Sequence, residues 1–407
     1  MTRRLASSSA LALCLAACAA DTSSEPTVAP EPAANGWIDA DARASDIAFL
    51  CETVRAHYVY AAASVGSWDD CEEVWGDAAR EAATAADFLH VVEGAIASLH
   101  DHHAGVGTHT SGSPQPVPTR ADLWLETVGD EVVVTAVRPE STAAEAGIRV
   151  GTTVTEIDGV PVKDFSSDVA LRVAAAGARE QAVRRLRLAP EGAVMQLGAV
   201  RTPEPDGPLS TRRVGSVGVI RINNALGNTE LVAAFDQALD ELSDASALIL
   251  DLRDTPSGGN TDVAEPILGR FIAEEAPYQR LAWTISVGEQ RVPRGMLSLV
   301  VPRRERPTVT VPLVVLVSRW TGSMGEGIAV GLHALGRATV VGTPMAGLAG
   351  GVESFTMPAS EVSFQIPVGT IHTMDGTPRE QWSPPVLVDL ATASGVDPIL
   401  DAGLAEI

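Results

Sequence analysis

Lysine is almost missing from this chain of 407 residues: of its 29 basic residues, all but Lys163 are arginine. Few chemistries can therefore depend on a lysine here. Positive charge is scarce as well, with 52 acidic against 29 basic residues and a formal net charge of −23. That balance argues against binding nucleic acid or an anionic membrane surface through a basic patch, and it predicts a solvated acidic surface. At 45% hydrophobic and 20% charged, the rest is ordinary globular material, long enough for two or three domains with cores of their own.

Long apolar runs are also absent at the N-terminus. Arg3 and Arg4 precede Leu5 to Ala17, a stretch too short to span a bilayer but laid out like a secretory signal peptide. It ends in Leu15-Ala16-Ala17-Cys18, which resembles a bacterial lipobox. That resemblance implies a signal peptide at 1–17 and lipid attachment at Cys18, hence anchoring in the cell envelope; ordinary cleavage near Ala20 is the other reading. Residues 18–38, rich in Ala, Pro, Ser, Thr and Glu, read as a tether. Cysteine is sparse: beyond Cys14 and Cys18 only Cys51 and Cys71 remain, a plausible disulfide in an exported protein or else two buried thiols.

From 39 to 118, Ile47, Leu50, Cys51, Val54 and Tyr58 recur at steps of three and four, as do Phe88, Val92, Ile96 and Leu99. This spacing predicts a small helical bundle. The second helix runs into a cluster of His100, His102, His103 and His109, half of the eight histidines. A metal site, a catalytic base and a polar loop are all open readings. No carboxylate or cysteine clearly completes a ligand set, which ranks metal last, and no cofactor is expected.

In the region 119–205, the strand Val132 to Val137 is followed by a short helix closed by Gly147 and a strand ending at the Asp158-Gly159 turn. This succession resembles a PDZ domain, a fold that binds extended peptide ends by strand addition. The carboxylate loop expected of such a domain appears only as Ala121-Asp122-Leu123-Trp124-Leu125, without glycine, so a structural spacer is the competing reading.

From 206 to 407, the apolar runs Val217 to Ile222, Ala247 to Leu252, Leu313 to Val317 and Ala338 to Gly342 read as buried strands. Helical spacing at Glu230 to Leu242 and Glu326 to Leu335 makes this an α/β core. Gly258-Gly259 follows the second run and would let backbone N–H groups approach a substrate. Thr321-Gly322-Ser323 would place a serine hydroxyl at a helix N-terminus, where developing negative charge is favoured. Ser323-x-x-Glu326 is equally a capping box.

Taken together and in order, Asp101-x-His103, the PDZ-like unit, Asp251-Leu252-Arg253…Gly258-Gly259, Thr321-Gly322-Ser323-x-x-Glu326 and Gly336-Arg337-Ala338-x-x-Val341-Gly342 resemble the tail-specific and tricorn peptidase family. The resemblance implies a crotonase-like ββα core, Ser323 as nucleophile, and oxyanion donors at Met324 and at Gly258 or Gly259. The processing branch of the family carries a lysine at the position of Leu348, which excludes a serine–lysine dyad here. The tricorn-like branch uses a histidine and a late glutamate, which implies His103 as base and Glu380 as the group that orients or charge-balances its imidazole. The chain departs from that branch in having His102 where a helper serine stands, Gln381-Trp382-Ser383-Pro384-Pro385 after Glu380, and about one extra residue between Arg253 and the glycines. The implied partner is a peptide or unfolded protein. The alternative is an inactive, peptide-binding envelope lipoprotein of the same fold.

Overall fold

The computed structural model describes residues 37–407 apart from 61–67, 204 and 288–289. The signal peptide, Cys18 and nearly all of the tether lie outside the described residues. Helices Ala40–His57, Cys71–Glu81 and Ala85–Ala97 form the N-terminal region. The first starts at Asp39, whose side chain accepts the Ala42 N–H at 2.8 Å, and the third starts with a Thr84/Asp87 capping box. The predicted apolar stripes are the buried ones, Ile47, Leu50, Cys51 and Val54 against Phe88, Val92 and Ile96. Cys51 and Cys71 form a disulfide between the first two helices. The same core includes Met357, Phe364 and Ile366 from the far end of the chain, so these helices pack on a sheet rather than only on each other.

That sheet is antiparallel and runs in the order Gly105–Val106, Ser363–His372, Ala276–Val287, Gln290–Val300, with Gly351–Thr356 also paired to Ser363–His372. The long hairpin Ala276–Val287/Gln290–Val300 has no counterpart in the sequence reading.

The PDZ-like unit is a second sheet, ordered Leu123–Val128, Glu131–Val137, Thr153–Ile157, Val183–Leu188, Val194–Gly198. The helix Thr142–Glu145 ends at Gly147, with φ +80°, and the Asp158-Gly159 turn follows Thr153–Ile157. Helix Asp168–Ala176 packs on the edge strand Leu123–Val128.

The third sheet leads into the Ser323 turn. Its order is Val386–Leu387, Thr339–Gly342, Leu313–Val317, Ala247–Asp251, Val217–Ile222, Leu209–Val214, parallel except for the last strand. Helices Glu230–Glu241, Thr261–Leu268 and Met324–Ala334 cover one face and Pro398–Ala405 the other. Covered on both faces, the central strands are apolar without alternation, and every side chain of Leu313–Val317 is buried. Each such side chain contributes roughly 1.5–3 kcal/mol by leaving water. The α/β core expected from the sequence is thus present, with strand ends within two residues of the apolar runs.

Candidate active site

The parallel strand Leu313–Val317 ends, and the chain must turn sharply to enter the helix Met324–Ala334. Thr321 anchors that turn: its hydroxyl donates to the Leu252 carbonyl at 2.9 Å and accepts the Ser318 N–H at 3.0 Å. Gly322 lies so close to the neighbouring loop that a Cβ there would sit 2.5 Å from the Pro256 carbonyl oxygen. Ser323 follows with φ 47° and ψ −110°, a conformation L-residues avoid, and is only 5% exposed. Strain of this kind costs about 1–3 kcal/mol and persists only where the surroundings enforce it.

Glu326 is what enforces it. Fully buried, its carboxylate accepts the Ser323 N–H at 2.8 Å, the Gly347 N–H at 2.8 Å and the Leu348 N–H at 3.3 Å. The glutamate half of the capping box is therefore real, and it reaches beyond the helix to a second loop. Burial pushes the Glu326 carboxyl up to about 7, against the pull of Arg379 and of those N–H groups.

Gly258 packs directly on the Ser323 turn. A Cβ at this position would fall 2.4 Å from Ser323 Cβ, 2.9 Å from the Met324 nitrogen and 3.0 Å from Ser323 Oγ. The space beside the hydroxyl and the Met324 N–H exists because residue 258 has no side chain. The Gly258 N–H itself donates to the Thr255 carbonyl at 3.1 Å. The N–H groups of Met324 and Gly259 have no protein acceptor among the described residues.

His103 is buried, and its Nδ1 lies 2.8 Å from the Ala349 carbonyl oxygen. A carbonyl can only accept, so the proton is on Nδ1 and the lone pair on Nε2. Burial lowers the imidazole to about 4, which keeps it neutral over the physiological range. The backbone around it is fixed by Asp101, which accepts the His103 N–H at 2.8 Å and the Tyr58 hydroxyl at 3.0 Å, and by Gln365, whose amide donates to the His103 carbonyl at 3.0 Å. The neighbouring histidines go elsewhere: His100 Nδ1 is 2.8 Å from Ser167 Oγ, and His102 Nε2 accepts from Arg172 Nε at 2.8 Å.

Hydroxyl and imidazole are not hydrogen-bonded to each other in this structure. They are tied instead to consecutive residues of one loop, Ser323 through Glu326 to Leu348 and His103 directly to Ala349. Leu348, at the position where the processing branch carries lysine, is buried, and its side chain lies 3.2 Å from the Cβ site of Gly322. Lys163 is exposed within the PDZ-like unit.

Glu380 makes no hydrogen bond to the imidazole among the described residues. Its Oε1 accepts the Tyr60 hydroxyl at 3.0 Å, and its buried Oε2 has no hydrogen-bond partner among the described residues. The atom that orients His103 is a backbone carbonyl, which has no signature in a sequence. Sequence reasoning also missed Arg379, buried beside that loop; its adjacency to Glu380 in Pro378-Arg379-Glu380 was the one available signal.

The PDZ-like unit adjoins this site through the buried pair Arg138–Asp254 at 2.6 Å and the Trp320 indole N–H, which donates to the Ala121 carbonyl at 2.8 Å. On its outer edge, Asp168 accepts the Thr127 N–H at 3.2 Å and Arg172 donates to the Leu125 carbonyl at 3.1 Å. These are groups that an added peptide strand would need.

Residues 216–388 match peptidase family S41 and residues 133–187 match the PDZ domain family. The chloroplastic carboxyl-terminal-processing peptidase 1 of Arabidopsis thaliana is 28% identical over 211 residues, which is 50% of this chain and 41% of that protein. This chain thus spans less than half the length of that curated relative. Among solved structures, the photosystem II D1 C-terminal processing protease superposes with a TM-score of 0.55 at 18% identity, covering 88% of this chain and 96% of its own. Mature CPAF gives 0.57 at 15% identity, covering 90% and 95%. At these identities the structural likeness speaks to the fold. Residues 216–388 are thus similar to a peptidase family S41 domain and residues 133–187 to a PDZ domain.

Proposed function

We propose that this protein is a serine peptidase in which Ser323 attacks the carbonyl carbon of a peptide bond and His103 Nε2 takes the hydroxyl proton. The observation that carries this reading is the strained, buried Ser323 at a helix N-terminus, with a space beside its hydroxyl that only a glycine at 258 leaves open. In that space the oxyanion would meet the Met324 N–H and the N–H of Gly259, since Gly258 has its own acceptor. The imidazolium then passes its proton to the leaving amine, and a water molecule, deprotonated by the same Nε2, releases the acyl group.

A neutral imidazole fixed by a carbonyl favours the histidine-based, tricorn-like branch over a lysine dyad. The Ala349 carbonyl takes the orienting part that the family resemblance assigns to Glu380. The substrate class is a peptide or unfolded protein. Edge groups of the PDZ-like unit engaged by Asp168 and Arg172 weigh against the alternative of a pure peptide-binding module. Anchoring at Cys18 in a bacterial envelope rests on the lipobox, and the Cys51–Cys71 disulfide agrees with an oxidising compartment.

A fluorophosphonate probe tests the assignment. It labels the wild-type protein and not Ser323→Ala, and casein hydrolysis disappears in Ser323→Ala and His103→Ala. Equal labelling of wild type and Ser323→Ala rejects the nucleophile. Palmitate incorporation lost in Cys18→Ala tests the anchor.

A further inference from the structure

The loop 347–350 has its polar backbone groups sorted by direction. Its N–H groups at Gly347 and Leu348 point to the Glu326 carboxylate. Its carbonyls alternate: Leu348 and Gly350 face the Arg379 guanidinium, both 3.2 Å from Nη2, while Ala349 faces His103 at 2.8 Å. Positive φ angles at Gly347 (71°) and Gly350 (60°) make this alternation sterically accessible. Arg379 is 3% exposed, and the same Nη2 lies 3.9 Å from Glu326 Oε2.

Resting on the serine-peptidase reading, we infer that Arg379 is a positioning residue for the hydrolysis. Its guanidinium pins the two carbonyls that flank Ala349, and thereby the one that orients His103, while its charge balances the Glu326 carboxylate that holds Ser323. One buried cation thus sets both halves of the catalytic pair.

A packing role alone explains this residue poorly. Arg379 Nε is buried without an acceptor among the described residues, a desolvation cost that a methionine of similar length would avoid. The Ala349 carbonyl cannot itself be substituted, so the side chain that fixes its neighbours is where selection or mutation can act. Charge also matters. Of the groups that lower the Glu326 carboxyl against burial, Arg379 is the foremost, and Arg319 is the other guanidinium facing it. Around Arg379 stand His103, Tyr60 and Tyr278, whose own titrations respond to its charge.

Turnover per active site, counted by fluorophosphonate titration, separates positioning from folding. Arg379→Met is expected to lower kcat per labelled site by about 100-fold with KM held within about threefold, the signature of lost geometry at the reacting atoms. Its acid limb in the pH–rate profile should move to higher pH, because Glu326 loses its counter-charge. Arg379→Lys, which keeps charge but not the fork, should recover about tenfold and return the limb towards its wild-type position. Wild-type kcat per labelled site in Arg379→Met overturns the inference. If that variant does not fold, Arg379→Lys decides: reduced kcat per site at unchanged KM supports the role, and wild-type values reject it. Should Ser323→Ala and His103→Ala retain turnover, the serine-peptidase reading itself fails; if both are dead while Arg379→Met turns over normally, only the positioning role falls.

Discussion

The turn of Ser323 and the segment of His103 meet on one loop, yet they are held in place by very different means. Ser323 is fixed mostly from nearby in the chain: Glu326 three residues on, the helix Met324–Ala334, and the strand that delivers it. His103 has one local tie, its N–H to Asp101, but its ring and its carbonyl are fixed from far away, by Ala349 and Gln365, at 246 and 262 residues' separation. A nucleophile can be strained into position by a strand–turn–helix unit that forms locally. A base brought from the other end of the chain is placed only after the helical region, the antiparallel sheet and the core have closed on one another, with the loop-closure entropy that implies. The hydroxyl is therefore set by local backbone geometry, and the imidazole by the whole assembly.

Breaking the local side should have the largest effect. Gly258→Ala puts a methyl group 2.4 Å from Ser323 Cβ and into the space beside the Met324 N–H, at a residue whose φ is +66°. Loss of an oxyanion donor costs about 100- to 1,000-fold in kcat, and this change should reach at least that range while weakening fluorophosphonate labelling.

Acidity probes the comparison next. Were His103 to set the acid limb of kcat, activity would persist to about pH 4, because burial depresses the imidazole. Glu326, raised to about 7, takes a proton first, and the protonated carboxyl surrenders an acceptor that holds Ser323 or Leu348. The expected profile falls on acidification with a midpoint near pH 7, and an observed midpoint near pH 4 would leave the local clamp without a kinetic role. Stability runs the other way for this group. A folded-state value above the unfolded one means that the folded protein holds the Glu326 proton more tightly, so its contribution weakens stability as pH rises from 4.5 to about 7. His103, depressed from 6.5 to about 4, costs stability as pH falls through that window.

On the distant side, Cys51→Ser with Cys71→Ser opens a link between the first two helices. A loss of about 3 kcal/mol is expected in denaturant unfolding, with kcat at low temperature changed little because His103 keeps its bonds to Ala349 and Asp101. Lys163→Met should change neither stability nor turnover beyond experimental error; an activity loss there would reopen lysine-based catalysis.

The parallel strands were legible because burial on both faces leaves an unbroken apolar run, as at Leu313–Val317, and the helices because burial on one face leaves a stripe, as at Ile47 to Val54. The hairpin Ala276–Val287/Gln290–Val300 was not, since its strands mix arginine, proline and glycine with apolar residues and take their order from pairing with Ser363–His372. Ser323, Gly258 and His103 stood out by residue type and order. The partner of His103 did not, because Glu380 has the chemistry of an orienting carboxylate while a tertiary contact gives it to Tyr60 instead.

By itself the sequence determined that no lysine could serve Ser323, that an α/β core would present this serine at a helix start, and that a PDZ-like unit would precede it. The α/β core follows from residue identity and short-range periodicity; the PDZ-like unit and the exclusion of a lysine partner are what the family resemblance implies. Only the tertiary structure decided that a main-chain carbonyl orients His103, that Glu326 ties the serine's turn to the same loop, and that Arg379 lies between them. Hydrogen bonds to backbone atoms and the pairing of buried charges depend on which distant segments share a desolvated space, and that information is not carried by any one stretch of chain.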